Sequence, residues 1–397
     1  MSVASHPVID PVELTRDLIR LPSVTPADEG AMDLLERLLT GLGFHCRRMA
    51  FGPAPGDAIG DGAVIENLYA RRGTTGPNLC FAGHTDVVPT GALQAWSAGP
   101  FAAEIRDGLV YGRGAVDMKG GIAAWIAAVS RVLAEGEVPG SLSFLITGDE
   151  EGPALHGTRR VVETLAAEGE VIDACVVGEP SSQHVLGDTI KVGRRGSLNS
   201  WITVHGRQGH VAYPDRAANP APVLAKLLAR LDDNVLDDGY TEFPPSNLEI
   251  TTIDIGNPAS NVIPAEAKAR LNIRFNPTHT GDELIAWLNT MAGQAQADSG
   301  LRIELEHLCS GDAFLTRPGP FVTGVQDAVE AAVGHRPEAS TSGGTSDARF
   351  IRALCPVLEL GLVGQTMHQI DERAPVAEIE ALAEVYRRVI TTFFDRA

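Results

Sequence analysis

Over both ends of the chain, short apolar runs alternate with segments whose apolar residues recur at helical spacing. The runs predict strands, and the periodic segments predict helices. The predicted strands are residues 79–82, 142–147, 174–177 and 357–360, and the predicted helices include residues 122–133 and 376–393. Strands that alternate with helices indicate an α/β domain with a largely parallel central sheet.

The N-terminal segment carries signals for two further helices and a loop. Asp10 is placed as an N-cap, Pro11 stands at the first helical position, and Glu13 stands at the capping-box position. Leucines at helical spacing between residues 34 and 42 predict a second helix. The Gly- and Pro-rich residues 51–63 predict a surface loop.

The middle of the chain follows a different order of elements. Its pattern predicts strand, helix, strand, strand, helix and strand at residues 197–205, 220–231, 248–255, 267–275, 282–291 and 301–307. This β-α-β-β-α-β order is that of a ferredoxin-like motif. We therefore expect residues 196–308 to form an inserted α+β domain. Residues 1–195 and 309–397 would together form the α/β domain that receives it.

Composition narrows the classes of protein to consider. With 51 acidic and 32 basic residues, the 397-residue chain has a formal net charge of −19, which argues against a nucleic-acid or anionic-membrane surface. The sequence contains no apolar run of about 18 residues and no signal-peptide pattern at its start. Its five cysteines are scattered and form no C-x-x-C pair, so we expect a cytoplasmic protein without a cysteine zinc cluster.

Candidate chemistry begins with the run FAGHTDVV at residues 81–88. In a strand, His84 and Asp86 would point to the same face, and a metal-bound imidazole commonly passes its other N–H to a carboxylate. We therefore interpret His84 as a metal ligand and Asp86 as the group that orients it. Alone, the pair is a weak signal, and an ordinary hydrogen bond between the two side chains accounts for it more readily than a metal site does.

Further carboxylates and one further imidazole follow predicted strands or lie in a Gly-rich loop. These residues are Asp117, Glu150, Glu151, Glu179 and His368. Because ligands bind outside the carboxyl ends of the strands in open α/β sheets, we expect these groups to lie together. Carboxylates crowded in a cleft of low dielectric constant would repel one another strongly, and a pair of cations would resolve this conflict.

Charge balance favours two zinc ions. Two Zn²⁺ carry four positive charges, Asp117, Glu151 and Glu179 supply three negative charges, and a bridging hydroxide would supply the fourth and act as nucleophile. Imidazole and carboxylate ligands also suit Co²⁺ or Mn²⁺. Because Glu150 adjoins Glu151, we interpret Glu150 as the general base that then acts as acid toward the leaving amine.

Together these motifs resemble the di-zinc aminoacylase/carboxypeptidase superfamily. Ten segments match in the order of the family, among them GHTDVVP, YGRGAVDMKGG, TGDEEGPA, GHVAYP, TSGGTSDARFI and MHQIDE. The resemblance implies five metal ligands, which are His84 and Glu179 for one zinc ion, Glu151 and His368 for the other, and Asp117 as the bridge. It also implies a cis peptide bond between Asp117 and Met118.

The resemblance further implies a homodimer formed through the inserted domain, in which His210 of one subunit stabilises the tetrahedral oxyanion in the active site of the other. It implies hydrolysis of N-succinyl-L,L-diaminopimelate to succinate and L,L-diaminopimelate, a step toward lysine and cell-wall precursors. Because this small-molecule substrate carries several carboxylates, we expect basic and polar groups of the matching segments to bind it. These are Arg194, Arg195, Tyr213, Asn261, Arg274, Ser342, Gly343, Gly344 and Thr345.

The sequence leaves two alternatives open. One is another N-acyl-amino-acid deacylase, such as an acetylornithine deacetylase, because the metal ligands alone do not separate these substrates. The other is a catalytically silent dimer that binds metal ions. We interpret the histidines outside the matching segments as surface or packing residues.

Overall fold

The computed structural model describes residues 7–52 and 63–396, so most of the loop predicted at residues 51–63 lies outside the described residues. The described helices are α1 (Pro11–Ile19), α2 (Ala31–Gly41), α3 (Lys119–Glu135), α4 (Thr158–Glu168), α5 (Ala221–Asp232), α6 (Gly281–Ser299), α7 (Pro320–Val333), α8 (Ala348–Ile351) and α9 (Val376–Arg396). In the described part of the chain, no helix is long and apolar enough to cross a membrane.

The described strands range from two to ten residues in length. They are β1 (His45–Phe51), β2 (Ile65–Arg72), β3 (Asn78–His84), β4 (Glu104–Arg106), β5 (Leu109–Tyr111), β6 (Ser141–Thr147), β7 (Ala174–Val177), β8 (Thr189–Lys191), β9 (Gly193–Arg194), β10 (Gly196–His205), β11 (Gly209–His210), β12 (Asn247–Asp254), β13 (Val262–Ile263), β14 (Glu266–Phe275), β15 (Ile303–Gly311), β16 (Phe314–Leu315), β17 (Glu338–Ser340), β18 (Val357–Glu359) and β19 (Arg373–Pro375).

The chain divides into two compact units. The first unit lies within Met1–Val192, Thr316–Ser340 and Ser346–Ala397, and the second comprises Gly193–Leu315 and Thr341–Thr345. The segment 196–308, for which an inserted domain is expected, falls inside the second unit.

The main sheet of the first unit has the strand order β1-β2-β6-β3-β7-β18-β8-β17. Its centre, from β6 through β3 and β7 to β18, is parallel, whereas β1 and β2 at one edge are antiparallel. The predicted α/β class with a largely parallel sheet is therefore confirmed. The parallel register aligns His84 of β3 with Thr147 of β6, and Ala82 with Val177 of β7. The carboxyl ends of these three strands consequently lie side by side.

Packing below these strand ends is aromatic and dense. Phe81 of β3 stacks on Trp125 of α3 with ring centroids 4.8 Å apart, and Trp125 meets Tyr386 of α9 at 4.9 Å. All three side chains are fully buried, and burial of each such side chain contributes about 1.5–3 kcal/mol. The phenol of Tyr386 also donates a hydrogen bond to the main-chain oxygen of Leu360. Helices α3 and α9 are thereby fixed against the strand that ends at His84.

The N-terminal helix α1 begins where the sequence predicts. The carboxylate of Asp10 accepts hydrogen bonds from the main-chain N–H groups of Val12 (2.8 Å) and Glu13 (3.2 Å). The expected capping box is not formed, because the carboxylate of Glu13 pairs with Arg16 at 2.6 Å. An ion pair between residues one helical turn apart therefore takes the place of the capping-box hydrogen bond between Glu13 and the main chain of Asp10.

The second unit contains the antiparallel sheet β12-β14-β10-β15, with α5 and α6 packed against it. In chain order these elements are β10, α5, β12, β14, α6 and β15, so the predicted β-α-β-β-α-β order is confirmed. The helices bury leucines at helical spacing, such as Leu224 and Leu228 of α5, against alternate residues of the strands, such as Leu271 and Ile273. This alternation is typical of a sheet with one covered face.

Candidate metal centre

The ends of three adjacent parallel strands carry the predicted ligands of the first unit. His84 is the last residue of β3 and is buried. Glu150 and Glu151 follow β6 after a two-residue turn, and Glu179 follows β7 by two residues. The fold therefore brings together groups that are up to 95 residues apart in the sequence (84 to 179).

Asp117 lies between the two predicted imidazole ligands. Its Oδ1 is 3.1 Å from Nε2 of His84, and its Oδ2 is 3.2 Å from Nε2 of His368. The Nε2 atom of His368 is also 2.8 Å from Oε1 of Glu151, and that of His84 is 3.7 Å from Oε1 of Glu179. Each oxygen of Asp117 thus faces one imidazole, and each of these imidazoles has a second carboxylate nearby. A bridging carboxylate requires this arrangement.

Two groups of donor atoms in this cluster are of a kind that could hold a divalent metal ion, and one of them includes Glu150. Donor atoms of His84, Glu150 and Glu179 lie within 4.8 Å of one another, and so do those of His84, Asp117 and Glu151. Imidazole nitrogens and carboxylate oxygens are ligands of zinc, and also of cobalt and manganese. The peptide bond between Asp117 and Met118 is cis, as the resemblance implies.

Burial and neighbouring groups shift the pKa values of several residues in this cluster. Hydrogen bonds to Asp117 and Glu151 raise the pKa of His368 to about 10. Burial alone would raise the pKa of Asp117, but the hydrogen bonds from His368 and His84 outweigh it and hold that pKa below its ordinary value. Burial raises the pKa of Glu179, and the negative charge of Asp117 adds to that rise.

Metal binding is consequently expected to release protons and to strengthen as the pH rises. With its pKa raised to about 10, His368 is protonated at neutral pH, and its nitrogen must lose that proton before it binds a metal ion. Calorimetric titration of Zn²⁺ into metal-free protein at pH 7, in buffers of different ionisation enthalpy, should show net proton release. A binding enthalpy that is the same in every buffer would contradict this expectation.

Asp86 contacts the cluster in a way that the sequence did not predict. Nδ1 of His84 lies 2.9 Å from the main-chain oxygen of Asp86, whereas the carboxylate oxygen is 3.7 Å away. That carboxylate instead accepts hydrogen bonds from the main-chain N–H groups of Glu150 (3.2 Å) and Glu151 (3.1 Å), and from the hydroxyl of Thr25 (2.7 Å). The Asp86 carboxylate thus holds the loop that carries the predicted base and one predicted ligand.

Glu150 lies beside the cluster with its main-chain N–H fixed by Asp86. Burial raises the pKa of Glu150 above its ordinary value, the charge of His84 opposes that rise, and the negative charges of Asp347 and Glu151 add to it. A carboxylate with a raised pKa accepts and returns a proton more readily near neutral pH than an ordinary carboxylate does. The position and the pKa of Glu150 both suit proton transfer.

The predicted substrate-binding residues all lie in the second unit. Nη1 of Arg194 donates a hydrogen bond of 2.8 Å to the main-chain oxygen of Ser342. Gly343 has a φ of +108°, where residues with a side chain are strained, and a Cβ atom there would contact the same guanidinium. Arg194 therefore supports the loop of Ser342, Gly343, Gly344 and Thr345, and the positive φ favours glycine at its second position.

Arg195 and Arg274 form a pair of neighbouring cations in this unit. Arg195 donates to Oδ1 of Asn247 (2.9 Å), and Arg274 donates to Oδ1 of Asn272 (3.1 Å). Burial lowers the pKa of Arg274, and the positive charge of Arg195 lowers it further. Among residues 7–52 and 63–396, neither guanidinium has a carboxylate within ion-pair distance. Two cations with only neutral partners are suited to an anionic ligand.

His210 and Tyr213 lie on the exposed segment around β11. Nδ1 of His210 accepts a hydrogen bond from the main-chain N–H of Ala212 (3.1 Å), which assigns the proton to Nε2 and leaves it as a donor. The rings of His210 and Tyr213 lie 5.6 Å apart, and the guanidinium of Arg216 lies 5.1 Å from the Tyr213 ring. Asn261 meets this segment through its main-chain oxygen, which accepts from Val211 at 3.1 Å.

Some charged residues that shape the cluster were missed by the sequence analysis. The buried carboxylate of Asp149 accepts hydrogen bonds from the main-chain N–H groups of Leu155 and His156, both at 2.9 Å, and so fixes the loop after Glu151. Arg113 and Glu372 form a buried ion pair beside Asp117 and His368. Each of these three residues lies in a sequence motif that also contains a predicted metal ligand. The presence of a second charged residue in such a motif could have identified them.

A mostly parallel α/β sheet whose strand ends gather imidazole and carboxylate donors is suited to a metal-dependent hydrolase. The chain belongs to peptidase family M20/M25/M40, whose model matches residues 80–392. This family is metal-dependent, and the clusters around His84 are composed of groups that bind metal ions.

Individual proteins are similar to this chain in sequence or in fold. It is 63% identical to a succinyl-diaminopimelate desuccinylase of Caulobacter vibrioides over 388 residues, covering 97% of this chain and 96% of that protein. It is 62% identical to the protein of the same name from Phenylobacterium zucineum, and the match covers 97% of this chain and 99% of that protein. In fold it is similar to an M20 family metallo-carboxypeptidase from Sulfolobus solfataricus, with a TM-score of 0.77, 16% identity, and 97% and 99% coverage.

Proposed function

We propose that this chain is a metallohydrolase that cleaves the amide of N-succinyl-L,L-2,6-diaminopimelate to succinate and L,L-diaminopimelate. The observation that carries the proposal is 63% identity, over nearly the whole chain, to a protein named for this reaction. The arrangement of Asp117 between two imidazole–carboxylate pairs supports it independently. The reaction belongs to the biosynthesis of lysine and cell-wall precursors, and the free thiols of Cys46, Cys80, Cys175, Cys309 and Cys355 favour a cytoplasmic location.

The ligand set that we propose places His84 and Glu179 on one zinc ion and Glu151 and His368 on the other, with Asp117 shared. The short contacts of the two Asp117 oxygens with His84 and His368 support this division. Co²⁺ or Mn²⁺ would suit the same donors. When bound, the two ions would supply Lewis acidity at the amide carbonyl and lower the pKa of a bound water.

Glu150 is the proposed general base and acid. It takes a proton from the attacking water and then delivers that proton to the nitrogen of the leaving amine. Its raised pKa allows both transfers near neutral pH. Asp86 keeps this carboxylate in place, because it holds the main-chain N–H groups of both Glu150 and Glu151.

The carboxylates of the substrate are proposed to bind the second unit. Arg195 and Arg274 are two cations without a protein carboxylate in the described part of the chain, which supports a role in binding anionic groups. Arg194 would act together with the loop Ser342–Thr345, whose main-chain N–H groups are accessible because Gly343 and Gly344 lack side chains. Tyr213 and Asn261 would complete the polar contacts.

A homodimer formed through the inserted domain is also part of the proposal. His210 would then act in the site of the partner subunit, where its Nε2–H would stabilise the negative charge on the carbonyl oxygen. The hydrogen bond that Nδ1 of His210 accepts from Ala212 supports this role, because it leaves Nε2 as the donor.

The test of the substrate is a parallel assay with zinc supplied. Turnover of N-succinyl-L,L-diaminopimelate is compared with that of N-acetylornithine, the substrate of the second candidate class, at equal protein and metal concentrations. We expect a higher kcat/KM for the succinylated substrate. A higher kcat/KM for N-acetylornithine would contradict the substrate assignment, and no turnover of any acyl-amino acid would favour the silent metal-binding dimer.

A further inference from the structure

A buried ion pair lies beside the candidate metal centre and belongs to none of the proposed ligands. Nη1 of Arg113 is 2.6 Å from Oε2 of Glu372, and both side chains are almost completely inaccessible to solvent. Strands β5 and β19 bring the two residues together, since Tyr111 pairs with Arg373 and the N–H of Gly112 donates to the main-chain oxygen of Glu372 (2.9 Å). The ion pair therefore joins two loops that are distant in the sequence.

Glu372 fixes the main chain on the Asp117 side. Its Oε1 accepts hydrogen bonds from the main-chain N–H groups of Val116 (3.0 Å) and Asp117 (3.2 Å). These two N–H groups immediately precede the side chain that faces both imidazoles. Displacement of the Glu372 carboxylate would therefore release the main chain that carries the proposed bridge.

Arg113 fixes the main chain on the His368 side. Its guanidinium donates to the main-chain oxygens of Gln369 (3.3 Å), His368 (3.4 Å) and Pro89 (3.3 Å). His368 has a φ of +62°, a conformation that residues other than glycine rarely adopt and that persists where surrounding contacts impose it. The hydrogen bonds of Arg113 to His368 and Gln369 are contacts of that kind.

We propose that Arg113 and Glu372 are positioning residues that hold Asp117 and His368 at the separation needed to share a metal ion. This inference rests on the proposed metal centre and identifies what holds two of its ligands, Asp117 and His368, in position relative to each other. The planar guanidinium is required for this role, because it reaches a carboxylate and three carbonyl oxygens from one rigid group. A lysine ammonium in its place has three donors and no fixed plane.

The test is titration of metal-free protein with Co²⁺ for wild type, Arg113→Lys and Glu372→Gln, followed by calorimetry and by the visible absorption of the bound ion. In each variant we expect the binding event beside His368 and Glu151 to weaken by about 10- to 100-fold, as is usual when the partners of metal ligands are changed. The other binding event, whose site shares only Asp117 with the disturbed loops, should weaken less. Anomalous difference maps of Co²⁺-soaked crystals should show the loss of occupancy beside His368 and Glu151. The Co²⁺ affinity of the double variant should fall by a smaller factor than the product of the factors for the two single variants, because the two residues act as one unit.

The control is Glu170→Gln, which removes the partner of Arg71 from another partly buried ion pair of the same unit. We expect its Co²⁺ binding to equal that of wild type. Circular dichroism checks that each variant is folded, and Glu372→Asp replaces any variant that is not. Unchanged Co²⁺ affinities, or equal weakening at both sites, would overturn the proposal. The titration uses the metal ion alone, so an error in the proposed substrate would leave its result unaffected.

Discussion

Replacing Glu150 with glutamine is expected to lower kcat for the succinylated substrate by about 10²- to 10⁴-fold, the usual contribution of a positioned acid–base group. Glutamine keeps the shape of the side chain but neither accepts nor delivers a proton under these conditions. Because we place Glu150 beside the metal ions and not among their ligands, the variant should still bind two zinc ions per subunit. Steady-state kinetics and elemental analysis of the same preparation measure both quantities.

The matched control for this change is Glu163→Gln. Glu163 lies on the exposed face of α4, where it pairs with Arg159 and Arg160. Exposed pairs of this kind contribute little to stability, so activity and zinc content should both equal those of wild type. An active Glu150→Gln variant would remove Glu150 from the mechanism. An inactive variant that has lost zinc would reassign it as a metal ligand.

Replacing Asp117 with alanine is expected to weaken the binding of both metal ions. One oxygen of Asp117 faces His84 and the other faces His368 at nearly equal distances, so a single truncation removes a donor from both proposed sites. The loss should exceed the 10- to 100-fold that changes in surrounding residues cause, and hydrolysis should fall with it. Calorimetric titration with Zn²⁺ and an assay in excess Zn²⁺ measure the two effects.

Asp17→Ala is the control for the Asp117 variant. Asp17 is an exposed residue of α1 that pairs with Arg20 one turn along the same helix, so its truncation should change neither zinc binding nor activity. If Asp117→Ala retains one zinc ion at the affinity of wild type, Asp117 belongs to a single site and is not a bridge.

His84, Glu150, Glu151 and Glu179 were expected to lie together because a parallel sheet gathers the carboxyl ends of its strands. Continuous apolar runs marked β3, β6 and β7, and a polar residue with metal-binding chemistry stood at or just beyond the end of each. Once strands are parallel and adjacent, such residues must lie together whatever their separation in the sequence. The order of elements in the second unit was predictable for a different reason. Apolar residues recur at alternate positions in its strands and at helical spacing in its helices, so the two kinds of element can be told apart.

Contacts made by main-chain atoms could not be read from the sequence. Side-chain periodicity predicts which face a residue occupies, but it does not predict that the carboxylate of Asp86 binds the N–H groups of Glu150 and Glu151. Strands β5 and β19 are three residues long and gave no periodic signal, so the ion pair that they bring together was not expected. Strands β1 and β2 were missed because polar residues interrupt their apolar positions.

The central claim is that two metal ions share Asp117. Crystals of the protein grown with Zn²⁺ and measured at the zinc absorption edge test it most directly. We expect two anomalous peaks per subunit, separated by about 3.5–4 Å as in other two-metal sites, one beside His84 and Glu179 and the other beside His368 and Glu151. A single peak, or two peaks of which one has no Asp117 oxygen among its ligands, would contradict the account.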